Sequence, residues 1–185
     1  MRRIQITLSV VLGVAFAMAF AQPARADSAA ELRRSGRSAL ELLYANNSTA
    51  RAIGRQAVAV LVFPQVTAAG FIVGAHRGDG VLFVGGKTSG YYNTTAGSWG
   101  LQAGAQQFGY AMFFMNSRAL HYLRASEGWE AGGTGDVVVV DEGIAKTLST
   151  TTARKGIYAF FFNQKGFMGG LTLQGTKITK YTPSE

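Results

Sequence analysis

The stretch from Gly74 to Tyr92, GAHRGDGVLFVGGKTSGYY, decides how the chain is read. Its Gly86-Lys87-Thr88 has the ending of a phosphate-binding loop. Such a loop needs a glycine, four residues, then Gly-Lys-Ser/Thr, so that backbone N–H groups wrap the phosphates and the lysine reaches them. Counting back, the first glycine should stand at position 81, which is Val81; Gly80 is one residue early. Val81, Leu82, Phe83 and Val84 between them form the interior of a strand and not a cradle. No nucleotide is therefore expected, and Lys87 is placed at a strand end. Asp79-Gly80 has the composition of a tight turn. Phe71–Ala75 and Val81–Gly85 are thus read as a hairpin around Arg77–Gly80.

Strand character continues on both sides. Ala57–Phe63 is an unbroken apolar run of strand length, ended by Pro64. Tyr91–Thr94, Trp99–Gln107 and Tyr110–Met115 follow as further strands, dense in glycine. Glycine inside strands marks bends, bulges and close backbone approach, which points to a tightly curled sheet. Asn116 caps a short helix from Ser117 to Ala125, ended at Gly128, with Leu120 and Leu123 toward the core. Asp136–Val140 is another strand. Ile157–Phe162 and Phe167–Leu173 are read as a final hairpin through Asn163–Gly166, and Tyr181–Glu185 as a frayed tail.

Two helices precede the strands. Residues 28–45 begin with a capping box, Ser28 and Glu31. At 100° per residue, Leu32, Ala39, Leu40 and Leu43 share one face and Arg33, Arg34 and Arg37 the neighbouring one. Asn46 and Asn47 stop this helix. Ser48 caps a second, carrying Arg51 and Arg55 to about Gln56. The fold expected is α+β: N-terminal helices, then a mainly antiparallel, strongly curved, Gly-rich, barrel-like sheet with one inserted helix. It forms a single domain over 27–185, with a basic amphipathic helical region at 28–56 and a β-rich core at 57–180.

The first 26 residues are set apart from that domain. Met1-Arg2-Arg3, a mostly apolar stretch to Ala21 and the small-x-small site Ala24-Arg25-Ala26 make a secretory signal peptide, cleaved near Ala26. An exported protein, periplasmic or envelope-associated, is expected. The 159 residues that remain suffice for one core. The chain has no cysteine, so neither a disulfide nor a cysteine-borne lipid is possible. Three of the 18 basic residues lie in the signal, leaving 15 against 10 acids. That balance favours anionic partners, and for an exported protein an anionic phospholipid membrane rather than nucleic acid. The charge is uneven. From 33 to 55 five arginines (Arg33, Arg34, Arg37, Arg51, Arg55) face one acid, Glu41. From 143 to 184 six basic residues meet none.

Catalytic chemistry finds little support. His76 and His121 stand alone, without metal-ligand spacing, and His76 is read as solvated beside the hairpin turn. Gly97-Ser98-Trp99-Gly100 has the wrong spacing for a nucleophile elbow. Asp141-Glu142 and the Glu127/Glu130 pair flanking Trp129 are the only carboxylate constellations. No catalytic residue, metal or cofactor is assigned, although a hydrolase built on those carboxylates is kept as a rival. A small outer-membrane β-barrel, suited by the glycine-rich strands and aromatics, and an envelope structural or interaction protein are the other rivals.

The run AVLVFPQVTAAGFIVGAHRGDGVLFVGGKTSGYYNTTAGSWGLQAGAQQFGYAMFFMN, continued by SEGWEAG and closed by NQKGFMGGLTLQGTKIT, resembles the SYLF family. This is the lipid-binding domain also found in yeast endocytic, actin-related proteins, and the resemblance covers about Arg51 to Lys180. It implies binding of phosphoinositides and other anionic phospholipids through basic residues and an amphipathic helix at the start of the domain. Arg33, Arg34, Arg37, Arg51 and Arg55 are the matching features here, and Lys87 is a further candidate phosphate contact. Actin bundling, known for some eukaryotic relatives, is not carried over to an exported chain.

Overall fold

The computed structural model describes residues 28–126, 128–131, 137–140, 155–166, 173 and 175–184. The signal segment, Glu127, Asp141 and Glu142, and residues 167–172 of the second arm of the expected final hairpin lie outside the described residues. Among the described residues the order is α1 (Ala29–Asn46), α2 (Ser48–Gly54), β1 (Ala59–Val84), β2 (Lys87–Phe114), α3 (Ser117–Ala125), β3 (Trp129–Ala131), β4 (Val137–Val139), β5 (Ile157–Gly166) and β6 (Thr176–Tyr181). The architecture is α+β: helices first, then a six-stranded, mainly antiparallel half-barrel with α3 inserted.

The expected hairpin lies elsewhere. Arg77–Gly80 is the interior of β1, paired with Thr95–Tyr92 of β2. The chain reverses instead at Gly85-Gly86, whose φ angles of 55° and 76° are both positive. Two successive left-handed residues make the hairpin turn whose twist matches its strands, and glycine takes that conformation without a steric cost. Lys87 therefore opens a strand. The segments expected as three strands between Tyr91 and Met115 are one, β2. Pro64 does not stop β1 but sits in a register shift between Phe63 and Val66, where its missing N–H breaks no ladder bond. Asn163–Gly166 likewise belongs to β5.

Length forces the curl. A straight strand of 28 residues would run roughly 90 Å at about 3.3 Å per residue. A domain of this size has a radius of gyration of roughly 15 Å. Both long strands therefore bend back on themselves. Tyr110 donates from its hydroxyl to Thr94 Oγ1 at 2.7 Å, 16 positions away on the same strand. A Cβ on Gly80 would stand 2.5 Å from the Phe63 ring and 2.8 Å from the Val62 carbonyl, at the opposite end of β1. The bare backbone at Gly80 is what lets the two ends of β1 meet.

The two faces alternate cleanly and both are covered. Ala59, Leu61 and Phe63 point into the half-barrel with Tyr110, Met112 and Phe114. Leu120 and Leu123 of α3 join this inner core. Val60 and Val62 point outward with Val81, Phe83 and Phe113, under Leu32, Leu43 and Ile53 of α1 and α2. A strand buried on both faces reads as a continuous apolar run, which is why Ala57–Phe63 shows no alternation. β2 is the spine. It pairs with β1 along most of its length, with β6 at Tyr91–Thr95 and with β5 at Gln106–Phe114. β3 flanks β6, and β4 runs parallel to β5.

The helix ends are defined by side chains. Glu31 N donates to Ser28 Oγ at 3.3 Å, as the capping box predicts. Asn47 caps α2, accepting from Ala50 N at 2.8 Å, so the cap is one residue earlier than Ser48. Asn116 caps α3 in the same way at 2.9 Å. The C-terminal tail is not frayed: Pro183 is buried, and Ser184 O accepts from Ala29 N at 2.9 Å. Tyr91 holds the same turn of α1 by donating to Ala29 O at 3.3 Å.

His76 is half-buried rather than solvated. Its ring stands edge-on to Phe108 at 6.1 Å, and its Nε2 is buried with no hydrogen-bond partner. Burial lowers its pKa below the ordinary histidine value. The unfolded chain then takes up the proton first, so stability rises with pH between the folded pKa and about 6.5. A melt series is expected to show Tm falling as pH drops below about 6.5. That fall should be shallower in His76→Gln, which stays neutral; an equal fall in both proteins would clear His76 of the effect.

Candidate functional site

α1 is docked on the outer face of the sheet. Leu32, Gly36 and Leu43 are buried. A Cβ on Gly36 would lie 2.3 Å from Val81 Cγ1, so the helix sits nearly on the strand at that point. The expected apolar face divides. Leu43 is buried, Ala39 and Leu40 are half-buried against the same core, and Leu42, outside the expected stripe, is 45% exposed. The helix therefore turns its charged side outward, while its leucines largely serve the fold.

Arg37 of α1 reaches the β1–β2 turn. The Arg37 guanidinium lies over the Phe83 ring at 5.5 Å and donates to Gly86 O at 3.3 Å. That carbonyl immediately precedes the exposed Lys87. Arg33 and Arg34 are exposed about one turn earlier on the same helix. Arg37 spends one of its five N–H donors on Gly86, leaving others open to an anion. The result is a basic rim of Arg33, Arg34 and Arg37 on α1, tied through Arg37 to a hairpin turn 49 positions later. Lys87 pairs with the inward-packed Val84 and so stands on the opposite face of the sheet from Phe83 and Arg37.

Arg51 and Arg55 stand apart from that arrangement. Arg51 Nε and Nη2 both donate to Tyr44 O, the Nε bond at 2.8 Å, which ties α2 back onto the last turn of α1. Its charge completes a helix end, where a cation is favoured. Arg55 is the exposed C-cap residue of α2. On pattern the five arginines form one basic region; the fold leaves three of them together on α1 and commits Arg51 to the backbone.

Arg124 is a cation that the sequence reading passed over. It sits in the last turn of α3 and donates to Ser89 Oγ at 2.8 Å, two residues beyond Lys87. No periodicity within α3 signals a partner in a turn 35 residues earlier.

On the other flank of α1 a cleft of about 810 Å³ opens between Ser38 and Leu42 on the helix and Gln65, Arg77, Asp79 and Asn163 on the sheet. Asp79 accepts from Asn93 Nδ2 at 2.7 Å. Its one acid and one base offset each other, so this cleft does not extend the basic rim.

Of the carboxylates considered for catalysis only Glu130 lies among the described residues. Glu130 is exposed on β3, opposite Lys177 in the pairing with β6. Among the described residues no three His, Asp or Glu come within reach of one metal ion, and no helix is long and apolar enough to cross a membrane.

Comparison with known families gives one match. The family model described as "Ysc84: Las17-binding protein actin regulator" matches residues 95–184, from the middle of β2 to the end of the described chain. No curated protein matches the chain. The matched segment spans most of β2 and all of α3, β5 and β6, while α1 and the Gly85-Gly86 turn lie before it. Over these residues the chain matches the Ysc84, or SYLF, family, a family associated in general with actin and lipid binding.

Proposed function

We propose that the protein is a non-enzymatic module that binds anionic phospholipid at a membrane surface through the basic rim on α1. One observation carries the reading: Arg37 is anchored against Phe83 and Gly86, one turn from the exposed Arg33 and Arg34. Cations so grouped meet several headgroup phosphates together, each contributing about 1 kcal/mol near an anionic surface. The membrane is that of the periplasm or cell envelope, reached by export and cleavage near Ala26. The actin regulation in the family's description would need a cytoplasmic partner and is not part of this reading.

The outer face that a membrane barrel would turn to lipid is occupied by α1 and α2, which favours a surface-bound domain over a spanning one. Vesicle co-sedimentation tests the proposal. Vesicles rich in phosphatidylglycerol should pellet the protein at low salt, phosphatidylcholine vesicles should not, and added salt should release it. Arg33→Ala/Arg34→Ala is expected to weaken binding about thirtyfold, from about 2 kcal/mol for two charges. Arg51→Ala, whose guanidinium is committed to Tyr44 O, should bind nearly as wild type. Equal binding by the Arg33/Arg34 variant would remove the rim from the function.

A further inference from the structure

Behind the basic rim runs a groove of about 300 Å³ between α1, the β1–β2 turn and the chain entering β1. Arg37 and Gly86 form one end. Leu40, Tyr44, Val58, Val60 and Phe83 contribute walls that are almost wholly apolar. No carboxylate lines it. Its far end is shut by α2, where Gly54 sits so close that a Cβ would stand 2.2 Å from the Tyr44 hydroxyl oxygen. The surroundings of Tyr44 are dry enough that burial pushes its phenol up to about 12. Val58, on the wall, is one of three large apolar side chains left exposed among the described residues.

An apolar channel with a cation at one end matches the chemistry of an amphiphilic anion. We infer that this groove takes a single acyl chain of an anionic lipid, with the chain along Leu40, Val58 and Phe83 and the acidic headgroup at Arg37. The volume is at the lower end of the range for small-ligand sites, about 300–1,000 Å³, which suits one chain and not two. Arg37 is pre-positioned for the headgroup by Phe83 and Gly86, so little side-chain freedom is lost on binding. The inference deepens the membrane-surface reading and rests on it for the ligand's origin, since a lipid recruited at the rim lies next to the groove. The groove's own affinity is measured without any membrane.

Titration of the full chain with dodecanoate below its micelle concentration is the test, with dodecyltrimethylammonium as the ligand of equal chain and opposite charge. Saturable binding of one dodecanoate per chain, at least tenfold tighter than the ammonium, is expected. Val58→Trp should fill the groove and weaken dodecanoate at least tenfold while leaving co-sedimentation with phosphatidylglycerol vesicles unchanged. Val58→Glu, at the same exposed position, gives a second obstruction by charge if the indole is not accommodated. Arg37→Leu should abolish the preference for the anionic head. The inference falls if wild type shows no saturable binding, if both heads bind equally, or if both Val58 variants bind as wild type. Loss of vesicle binding in Arg33→Ala/Arg34→Ala with dodecanoate binding retained supports both readings. Vesicle binding that persists in that variant removes the rim alone.

Discussion

Gly80→Val is expected to abolish the cooperative thermal transition of this protein. Even the first carbon of the new side chain would lie 2.5 Å from Phe63 Cδ1 and 2.8 Å from the Val62 carbonyl oxygen. The ring is fully buried and stacked on Tyr110 at 4.7 Å, and the carbonyl is backbone, so neither has room to yield. The only relief is to open the fold where β1 meets itself, which exposes the inner core. Gly80→Ala is the graded version. Overpacking of this kind costs about 1–3 kcal/mol, and in a domain of this length about 2 kcal/mol lowers Tm by roughly 4–8 °C. Gly97→Ala is the control, since nothing lies within 4 Å of its added carbon. Its Tm should stay close to wild type, as surface changes usually remain within about 0.5 kcal/mol. A Gly80→Ala protein melting with Gly97→Ala would show that this contact does not hold the curl.

Tyr110→Ala is expected to cost about 3–5 kcal/mol, as for other large aromatic deletions in cores. The ring is fully buried between Phe63, at 4.7 Å, and Phe161, at 5.6 Å. Tyr110→Phe isolates the hydroxyl. It keeps the ring but leaves Thr94 Oγ1, itself fully buried, without its 2.7 Å partner. That orphaned group should cost about 1–3 kcal/mol. Adding Thr94→Val removes the unpaired oxygen along with the lost partner. The double variant should therefore recover part of the loss, measured as a coupling in denaturant melts. Strictly additive losses would mean that the two ends of β2 are not joined through this bond.

How far the fold was legible depends on the range of the force involved. The helix at 28–45 could be read because its period, its Ser28 cap and its Asn46-Asn47 stop act within one or two turns of chain. Asn116, Leu120 and Leu123 were readable for the same reason. The hairpin was misplaced because two turn signals competed, Asp79-Gly80 and Gly85-Gly86, and local chemistry ranks the first at least as high. What decided between them was Phe63 and the Val62 carbonyl, which need bare backbone at Gly80 and thereby hold residues 77–80 in the strand. One glycine serves a turn and the other a close approach, and sequence alone shows only that each lacks a side chain. His76 was misjudged by the same error, since a residue thought to flank a turn stands mid-strand against Phe108.

The basic rim shows the same division. The sequence by itself determined the charge imbalance, the arginine face of the first helix, the two-sided apolar strands and the glycine content that permits a curled sheet. These follow from local spacing and composition, which need no knowledge of what lies across the fold. Only the tertiary structure decided which cations stand together. It drew Arg37 to Phe83 and Gly86, put Lys87 on the opposite face of the sheet, and turned Arg51 onto the end of α1. It also changed what Gly86-Lys87-Thr88 is, from the ending of a broken phosphate loop to a hairpin turn opening the longest strand. The physical reason is reach: a charge acts across space at a few ångströms, and the residues within that distance are set by where two long strands bend.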